Sequence, residues 1–365
     1  MSINHLYHSW VAELMQLRPN ERITRIRNLA WLVVGIYQSK SVHLSAIAQE
    51  IPSQAKLLSV VQRLERILNN PALRVRPWYE AMARSWLQSA AASGEIRLIV
   101  DGSKVGFGHQ LLMIAVAYRR RSIPIAWTWI KGARGHSSAK TQLALLAYVQ
   151  SLLPPDSTVL VVGDSEFGAV EVLRYLDGHG WHYALRQKAN NQVLCNQASG
   201  WQNFGALVQK PSQTAWWPAS LLTLKHAYQT NLFAYWKPGE AEPWLIATNL
   251  AHCRETLRAY ERRMWIEEMF GDFKGHGFDL ESTHLRHFMR LSRLTLAVSL
   301  LYVWLVTTGA AVIKNGQRHL VDRADRRDLS IFQIGSRWIK RRFVNSLSVR
   351  IKLWPSARTI KLSGS

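Results

Sequence analysis

The chain has 365 residues, 48% of them hydrophobic, enough to bury one large core or two to three smaller ones, which excludes a disordered tail. Its 46 Lys and Arg against 24 Asp and Glu give a formal charge of +22, spread along the whole length. That spread predicts a polyanionic partner, and nucleic acid fits it better than a membrane surface, which favours one basic amphipathic helix. Cys195 and Cys253 are far apart and in no C-x-x-C pair, so neither a disulfide framework nor a zinc knuckle is implied. A reducing cytoplasm fits, and Met1 to Val11 show no signal-peptide pattern.

Residues 1–92 show helical periods and almost no strand signal; in one stretch Leu57, Leu58, Val61, Leu64, Ile67 and Leu68 fall at helix spacing. Two short helices, SVHLSAIAQEI and QAKLLSVVQRLERILNN, flank Pro52 and Ser53, with Lys56, Arg63 and Arg66 on the second. This reads as a helix-turn-helix or equally as a plain helical bundle with a solvated basic face.

From Glu95 the pattern changes to strands: IRLIV at 96–100, LLMIAVAY at 111–118 and IPIAWTWI at 123–130. The glycine-rich GSKVGFGHQ and the basic turn Arg119 to Ser122 are short enough for hairpins. A helix at 137–153 ends at Pro154 and Pro155, and TVLVVGDS at 158–165 reads as a buried parallel strand. A helix near 168–178 and a strand at 181–187 complete β-β-β-α-β-α-β. Residues 189–249, with LLTLKHAY, LFAYW and WLIATN, read as a β-rich insertion. One helix is expected from about Arg254 to Lys274. The uncharged run LTLAVSLLYVWLVTTGAAVI is long enough to cross a bilayer at about 20 residues, but its small and hydroxylated residues and two basic flanks read as a buried core helix. From Lys314 to Ser365 thirteen Lys or Arg face three Asp, a basic tail.

Asp101 ends IRLIV and Asp164 ends VLVVG. If the first and fourth strands lie parallel and adjacent, the two carboxylates share one sheet edge within reach of one cation; each alone could simply open a turn. A third acid comes from YERRMWIEEMFGDFK: advancing about 100° per residue places Tyr260, Arg263, Glu267 and Lys274 on one stripe, with Glu268 about 100° away. A solvated ion-pair face would show the same stripe. Three carboxylates without a Cys or His cluster imply a pair of hard divalent ions, Mg²⁺ or Mn²⁺, suited to in-line phosphoryl displacement. His276, His284 and His287 lack H-E-x-x-H spacing and read as surface or phosphate-contacting side chains.

With these residues in place, the chain resembles the DDE transposases of bacterial insertion sequences. Tyr260-x2-Arg263-x3-Glu267-x6-Lys274 is similar to the Y-R-E-K signature of the insertion-sequence-four group at every position, and the likeness covers about residues 93–313. The resemblance implies an α/β, ribonuclease-H-like mixed-sheet core, β-β-β-α-β-α-β-α, with a β-rich insertion and a preceding all-α domain. The domains would be 1–92 for DNA-end binding, 93–188 and 250–313 for the two parts of the core, 189–249 for the insertion, and 314–365 for the basic C-terminal region. It also implies that Asp101, Asp164 and Glu267 hold two Mg²⁺ or Mn²⁺ ions. Tyr260, Arg263 and Lys274 would hold end phosphates and a flipped base near the scissile bond. Trp244 in PWLIATN looks like the tryptophan that hairpin-forming relatives stack on that base, or is a half-buried strand residue. Arg186 and Lys188 are placed to touch the DNA backbone or to remain solvated.

The implied reaction binds the element's inverted repeats, cuts one strand to a 3′-OH, and uses that 3′-OH against the opposite strand or the target, without a covalent enzyme intermediate. Two ends imply a homodimeric synaptic complex on double-stranded DNA, in a bacterial cytoplasm at the nucleoid. Two other readings stay open: a ribonuclease-H-like nuclease that cuts without joining, and a non-catalytic protein that only occupies the ends.

Overall fold

Apolar positions three and four residues apart make the first part of the chain helical, and β-branched runs then turn it to strand. The computed structural model describes residues 2–106, 108–132, 135, 137–196 and 199–355. Five helices come first: α1 (Ile3–Leu17), α2 (Ile23–Ser39), α3 (Leu44–Gln49), α4 (Leu57–Asn69) and α5 (Val75–Ala91). Then follow β1 (Ile96–Val105), β2 (His109–Tyr118), β3 (Arg121–Lys131), α6 (Ala139–Gln150), β4 (Val159–Gly163), α7 (Val170–Gly178) and β5 (His182–Arg186). Five more strands come next: β6 (Gln192–Leu194), β7 (Gln202–Asn203), β8 (Thr214–Leu222), β9 (Tyr228–Tyr235) and β10 (Trp244–Thr248). The chain continues through α8 (Cys253–Tyr260), α9 (Met264–Phe273), α10 (Phe288–Lys314) and α11 (Ile331–Val344). The residues divide into two compact units: a sheet unit, Ala90–Lys104 with Gln110–Met269, and a helical unit, Met1–Ser89 with Val105–His109 and Phe270–Ser365.

Among the described residues ten strands form one sheet in the order β3-β2-β1-β4-β5-β10-β9-β8-β6-β7. β4 is buried at every residue and pairs parallel with β1 on one side and β5 on the other, as a continuous apolar run requires. The connection from β2 to β3 is too short for a parallel crossover, so these neighbours form a hairpin. At its tip Arg119 and Arg120 both take left-handed conformations, φ 47° and 63°, which matches the twist of a two-residue turn. Phe107, in the loop between β1 and β2, lies outside the described residues.

Because β10 runs antiparallel to β5, the β-rich segment continues the main sheet, with β9, β8, β6 and β7 beyond it. The expected strand LLTLKHAY is corrected. β8 lies mostly upstream of it, and Thr223 and Ala227, with φ of 60° and 41°, fold its centre into a turn between β8 and β9. The expected single helix from Arg254 to Lys274 is also corrected: a 3-10 turn at Glu261–Arg263 separates α8 from α9. Side chains three apart eclipse in such a turn, so Tyr260 and Arg263 come closer to alignment than α-helical spacing gives.

The helical unit is organised around α10. It is the one helix among the described residues long and apolar enough to cross a membrane, and 83% of its most apolar window is buried inside the protein. α10 packs on α2, α4 and α11. Gly309 and Gly335 let α10 and α11 touch backbone to backbone: a Cβ on Gly309 would strike the Ile331 carbonyl, and one on Gly335 the Leu305 carbonyl. In α4 the buried stripe is Val60, Leu64, Ile67 and Leu68, whereas Leu57 and Leu58 are exposed.

Part of the basic tail is core. α11 begins with a capping box, Ser330 with Gln333, and Val349, Ile351 and Leu353 are buried. Trp304 Nε1 donates to the Arg350 carbonyl at 3.0 Å and Trp86 Nε1 to that of Leu353 at 3.1 Å, stitching the segment down. Residues 356–365 of that tail lie outside the described residues.

Candidate active site

The β1–β4 register pairs Val100 with Gly163, so Asp101 and Asp164 follow side by side where the parallel pairing ends, β1 itself running on to Val105. Gly163 permits this close pairing, because a Cβ there would lie 2.7 Å from Val100 Cγ1. Asp101 lies within β1 and is 2% exposed, with Oδ1 accepting from the Gly102 amide at 2.7 Å. Asp164 is half-buried and caps the 3-10 turn Ser165–Phe167, its Oδ1 accepting from the Ser165 amide at 2.6 Å. It therefore opens a turn while sharing the sheet edge with Asp101. Burying Asp101 as a charge costs several kcal/mol unless it is compensated.

Arg263 supplies that compensation. Its Nη1 lies 2.7 Å from Glu267 Oε1 and 3.5 Å from Asp101 Oδ2, so one guanidinium joins two of the three expected carboxylates. Glu268 is directed elsewhere, its Oε2 3.0 Å from Arg121 Nη1. Burial alone would lower the Arg263 pKa, but the Tyr260 hydroxyl and the charges of Asp101, Glu267 and Asp164 outweigh it and raise the guanidinium above its ordinary value. Arg263 is a fixed cation among acids.

Tyr260 is fully packed, and its hydroxyl has no hydrogen-bond partner among the described residues. Burial pushes its phenol up to about 12; Arg263 and Arg186 pull it down, while Asp164 and Asp101 push it up. Those couplings place Tyr260, Arg186, Arg263 and the two aspartates in one electrostatic neighbourhood. Trp244, half-buried at the start of β10, meets the Tyr260 ring edge-on, centroids 5.1 Å apart at 67°. The Arg263 guanidinium carbon lies 5.9 Å from the same ring.

Arg186 at the end of β5 bonds Glu242 at 3.2 Å and the Pro243 carbonyl at 3.3 Å, and Lys188, two residues on, is exposed. Lys274 belongs to the helical unit and lies 3.5 Å from Glu281. His276, His284 and His287 are exposed.

Two residues that the sequence pattern did not single out complete the sheet-unit cluster. Glu166 accepts from Gln110 Nε2 at 2.8 Å, from the Gly135 amide at 3.1 Å and from the Ser137 amide at 2.7 Å. Its backbone carbonyl accepts from Gln142 Nε2 at 2.9 Å. A fourth acid thus ties the loop after β3 to the edge that carries Asp164. Gly102 makes room for it, since a Cβ there would run into the Gln110 amide and reach within 3.2 Å of Glu166 Oε2. The available signals were an acid two residues beyond Asp164 and a glutamine immediately before the apolar run of β2.

Among the described residues no three His, Cys, Asp or Glu side chains are gathered into a ready-made ligand shell. The donor set nevertheless fits a hard divalent cation: paired aspartates at one sheet edge, Glu267 joined to them through a cation, and only oxygen ligands.

Among solved structures, one described as a cryo-EM structure of a piggyBac transposase synaptic complex with hairpin DNA is similar over 100% of this chain and 84% of that one, at 10% identity and a TM-score of 0.41. Comparison with curated proteins gave no match. The transposase DDE domain family matches residues 94–304, which span β1 to β10 and continue through α8 and α9 into α10. The match takes in Asp101, Asp164, Tyr260, Arg263 and Glu267, so the chain belongs to the transposase DDE domain family and is a DNA transposase, a polynucleotidyl transferase.

Proposed function

We propose that this transposase is of the insertion-sequence-four, Y-R-E-K type, built on a ribonuclease-H-like core, and that it cuts and rejoins the ends of its own element. The observation that carries this reading is the constellation of Asp101 beside Asp164 with Arg263 bonded to both Asp101 and Glu267. The strand order β3-β2-β1-β4-β5, with β1, β4 and β5 parallel, supports the core assignment. Asp101, Asp164 and Glu267 would hold the divalent ions, Mg²⁺ or Mn²⁺. When bound, those ions would supply Lewis-acid activation and neutralise charge on the transferring phosphoryl group.

The remaining chemistry belongs to the side chains. Arg263, released from Glu267, turns its fork to a phosphate of the transposon end, a bidentate pairing that a lysine could not reproduce. Tyr260 offers a hydroxyl that stays protonated at neutral pH, so it donates to a phosphate oxygen without adding charge. Trp244, braced by Tyr260, presents an indole to an unpaired base, and Arg186 and Lys188 hold the backbone that follows. Lys274, the last position of the Y-R-E-K signature, would bind a phosphate of the transposon end. The first cut leaves a 3′-OH, which then attacks the opposite strand or the target, so one site serves hydrolysis and transesterification. Two ends require two copies of the chain, and the reaction belongs in the cytoplasm, at the nucleoid.

The test uses full-length protein with Mg²⁺ and duplexes carrying the inverted repeats that flank its gene. Asp101→Ala, Asp164→Ala and Glu267→Ala should each abolish cleavage and strand transfer. If any of them keeps Mg²⁺-dependent cleavage, that residue is not a ligand and the assignment fails. Nicking by the parent protein without joining would replace transposition by simple nuclease action.

A further inference from the structure

In the helical unit, α10, α11 and the segment after α11 enclose a cavity of about 380 Å³, large enough for a nucleotide. Val312 contributes an apolar surface and Trp338 an indole, while Arg342, Arg350 and Lys352 bring three cations and Asn315 an amide. No carboxylate lines the cavity, and the chain holds no Asp or Glu after Asp328.

The Arg342 guanidinium is held in place, and the backbone that carries Arg350 and Lys352 is pinned to α10. Arg342 Nε donates to the Ser348 carbonyl at 2.6 Å, and its guanidinium carbon lies 5.8 Å from the Trp338 ring. The bond from Trp304 to the Arg350 carbonyl fixes one end of the strap, and Thr307 Oγ1 donates to the Lys352 carbonyl. Glu13 is coupled to Arg350 and accepts from Trp354, but it does not line the cavity. Three cationic residues lining one cavity favour a polyanionic ligand there. An indole beside a phosphate-sized cluster of cations is the arrangement that takes a base and its phosphate together.

We propose that this cavity binds one nucleotide of a DNA strand, with its phosphate on Arg342, Arg350 and Lys352 and its base against Trp338. It is a second place where DNA is held, made of residues outside the carboxylate cluster and outside the Y-R-E-K stripe. The claim needs only that the chain binds DNA, so it stands or falls apart from the assignment of Asp101, Asp164 and Glu267.

The experiment uses the full-length chain and a fluorescent single-stranded oligonucleotide carrying one 5-iododeoxyuridine, with a matched oligonucleotide abasic at that position. Photo-crosslinking should join the iodinated base to the peptide containing Trp338. The double variant Arg350→Gln/Lys352→Gln should bind about 10-fold more weakly, with a salt slope shallower by about 0.7 for each single-strand phosphate it no longer neutralises. Trp338→Leu should weaken the intact oligonucleotide about 10-fold and leave the abasic one unchanged. Trp338→Tyr, which keeps a stacking ring, should restore most of that loss and guards against a variant that merely misfolds. The proposal is overturned if crosslinks map only to other peptides, or if the double variant keeps the parent's affinity and slope. Inorganic phosphate competing as well as the oligonucleotide, with no dependence on Trp338, would reduce the cavity to a free-phosphate site and also overturn it.

Discussion

The two compact units treat buried polarity in opposite ways. In the helical unit a buried cation is spent on backbone: Arg293, 4% exposed, donates to the carbonyls of Leu68 at 2.7 Å and Leu73 at 3.0 Å. In the sheet unit the buried cation is aimed at other ionised side chains, Arg263 at Asp101 and Glu267, and a buried phenol beside it has no partner among the described residues. The first arrangement is stitching, since it satisfies carbonyls that would otherwise be stranded. The second is poor stitching, because a buried ion pair roughly breaks even against its desolvation. A fold gains little from gathering Asp101, Asp164, Arg263 and Tyr260 at one edge, which points to chemistry as the reason for keeping them.

The sharpest way to break that contrast is to remove one charge from each unit. Asp101→Asn keeps the acceptor for the Gly102 amide and leaves Glu267 to pair Arg263, so stability should change by only about 1 kcal/mol. Mg²⁺-dependent cleavage should nevertheless fall by at least about 10³-fold. Arg293→Met should do the reverse: two buried carbonyls lose their donors, which costs about 3 kcal/mol, while the folded fraction keeps its cleavage rate. Urea melts and single-turnover cleavage on the same preparations decide it. If Asp101→Asn destabilises as much as Arg293→Met, the sheet-unit charges are structural and the contrast collapses.

How much of this was legible in the sequence follows from the range of the forces involved. The alternation from helix to strand and the acids closing two apolar runs were readable, because burial periodicity and strand-end position are local properties. Residues 294 to 313 were readable as core for the same reason. The break at Glu261–Arg263 was not, since YERRMWIEEMF holds no Gly or Pro and nothing local demands a 3-10 turn. Nor was the pinning of Glu166 by Gln110, Gly135 and Ser137, which depends on partners far apart in the chain. The buried strap after α11 was hidden by composition: its cations read as a tail, while its alternate residues Val349, Ile351 and Leu353 are core.

Tyr260 offers a subtler division between stability and function. Its hydroxyl is buried with no hydrogen-bond partner among the described residues, so Tyr260→Phe should be neutral or slightly stabilising, by about 1 kcal/mol. End cleavage should drop about 10- to 100-fold if the hydroxyl grips a phosphate, with the loss in DNA affinity rather than in metal dependence. The variant also carries a pH signature. With the folded pKa pushed up to about 12 from an ordinary 10.0, the folded chain holds its proton longer than the unfolded one. The group's stabilising contribution is therefore complete below pH 10 and is lost as pH rises from 10 to 12. Urea midpoints across that window should fall less steeply for Tyr260→Phe than for the parent. Equal slopes would mean the phenol is not buried as the structure places it.

The smallest effect separates two adjacent acids on α9. Glu267 pairs with Arg263, whereas Glu268, 54% exposed at its side chain, pairs with Arg121. A half-exposed pair of that kind contributes about 1 kcal/mol or less. Glu268→Gln should therefore shift the urea midpoint barely above error and leave cleavage within about 2-fold of the parent. Glu267→Gln, a change of the same size one residue away, should lose cleavage about as completely as Asp101→Asn. Because the two substitutions remove the same charge from the same helix, net charge and helix propensity cancel between them. What remains is the direction each side chain points, so equal activities for the two variants would show that the 100° between them carries no chemistry.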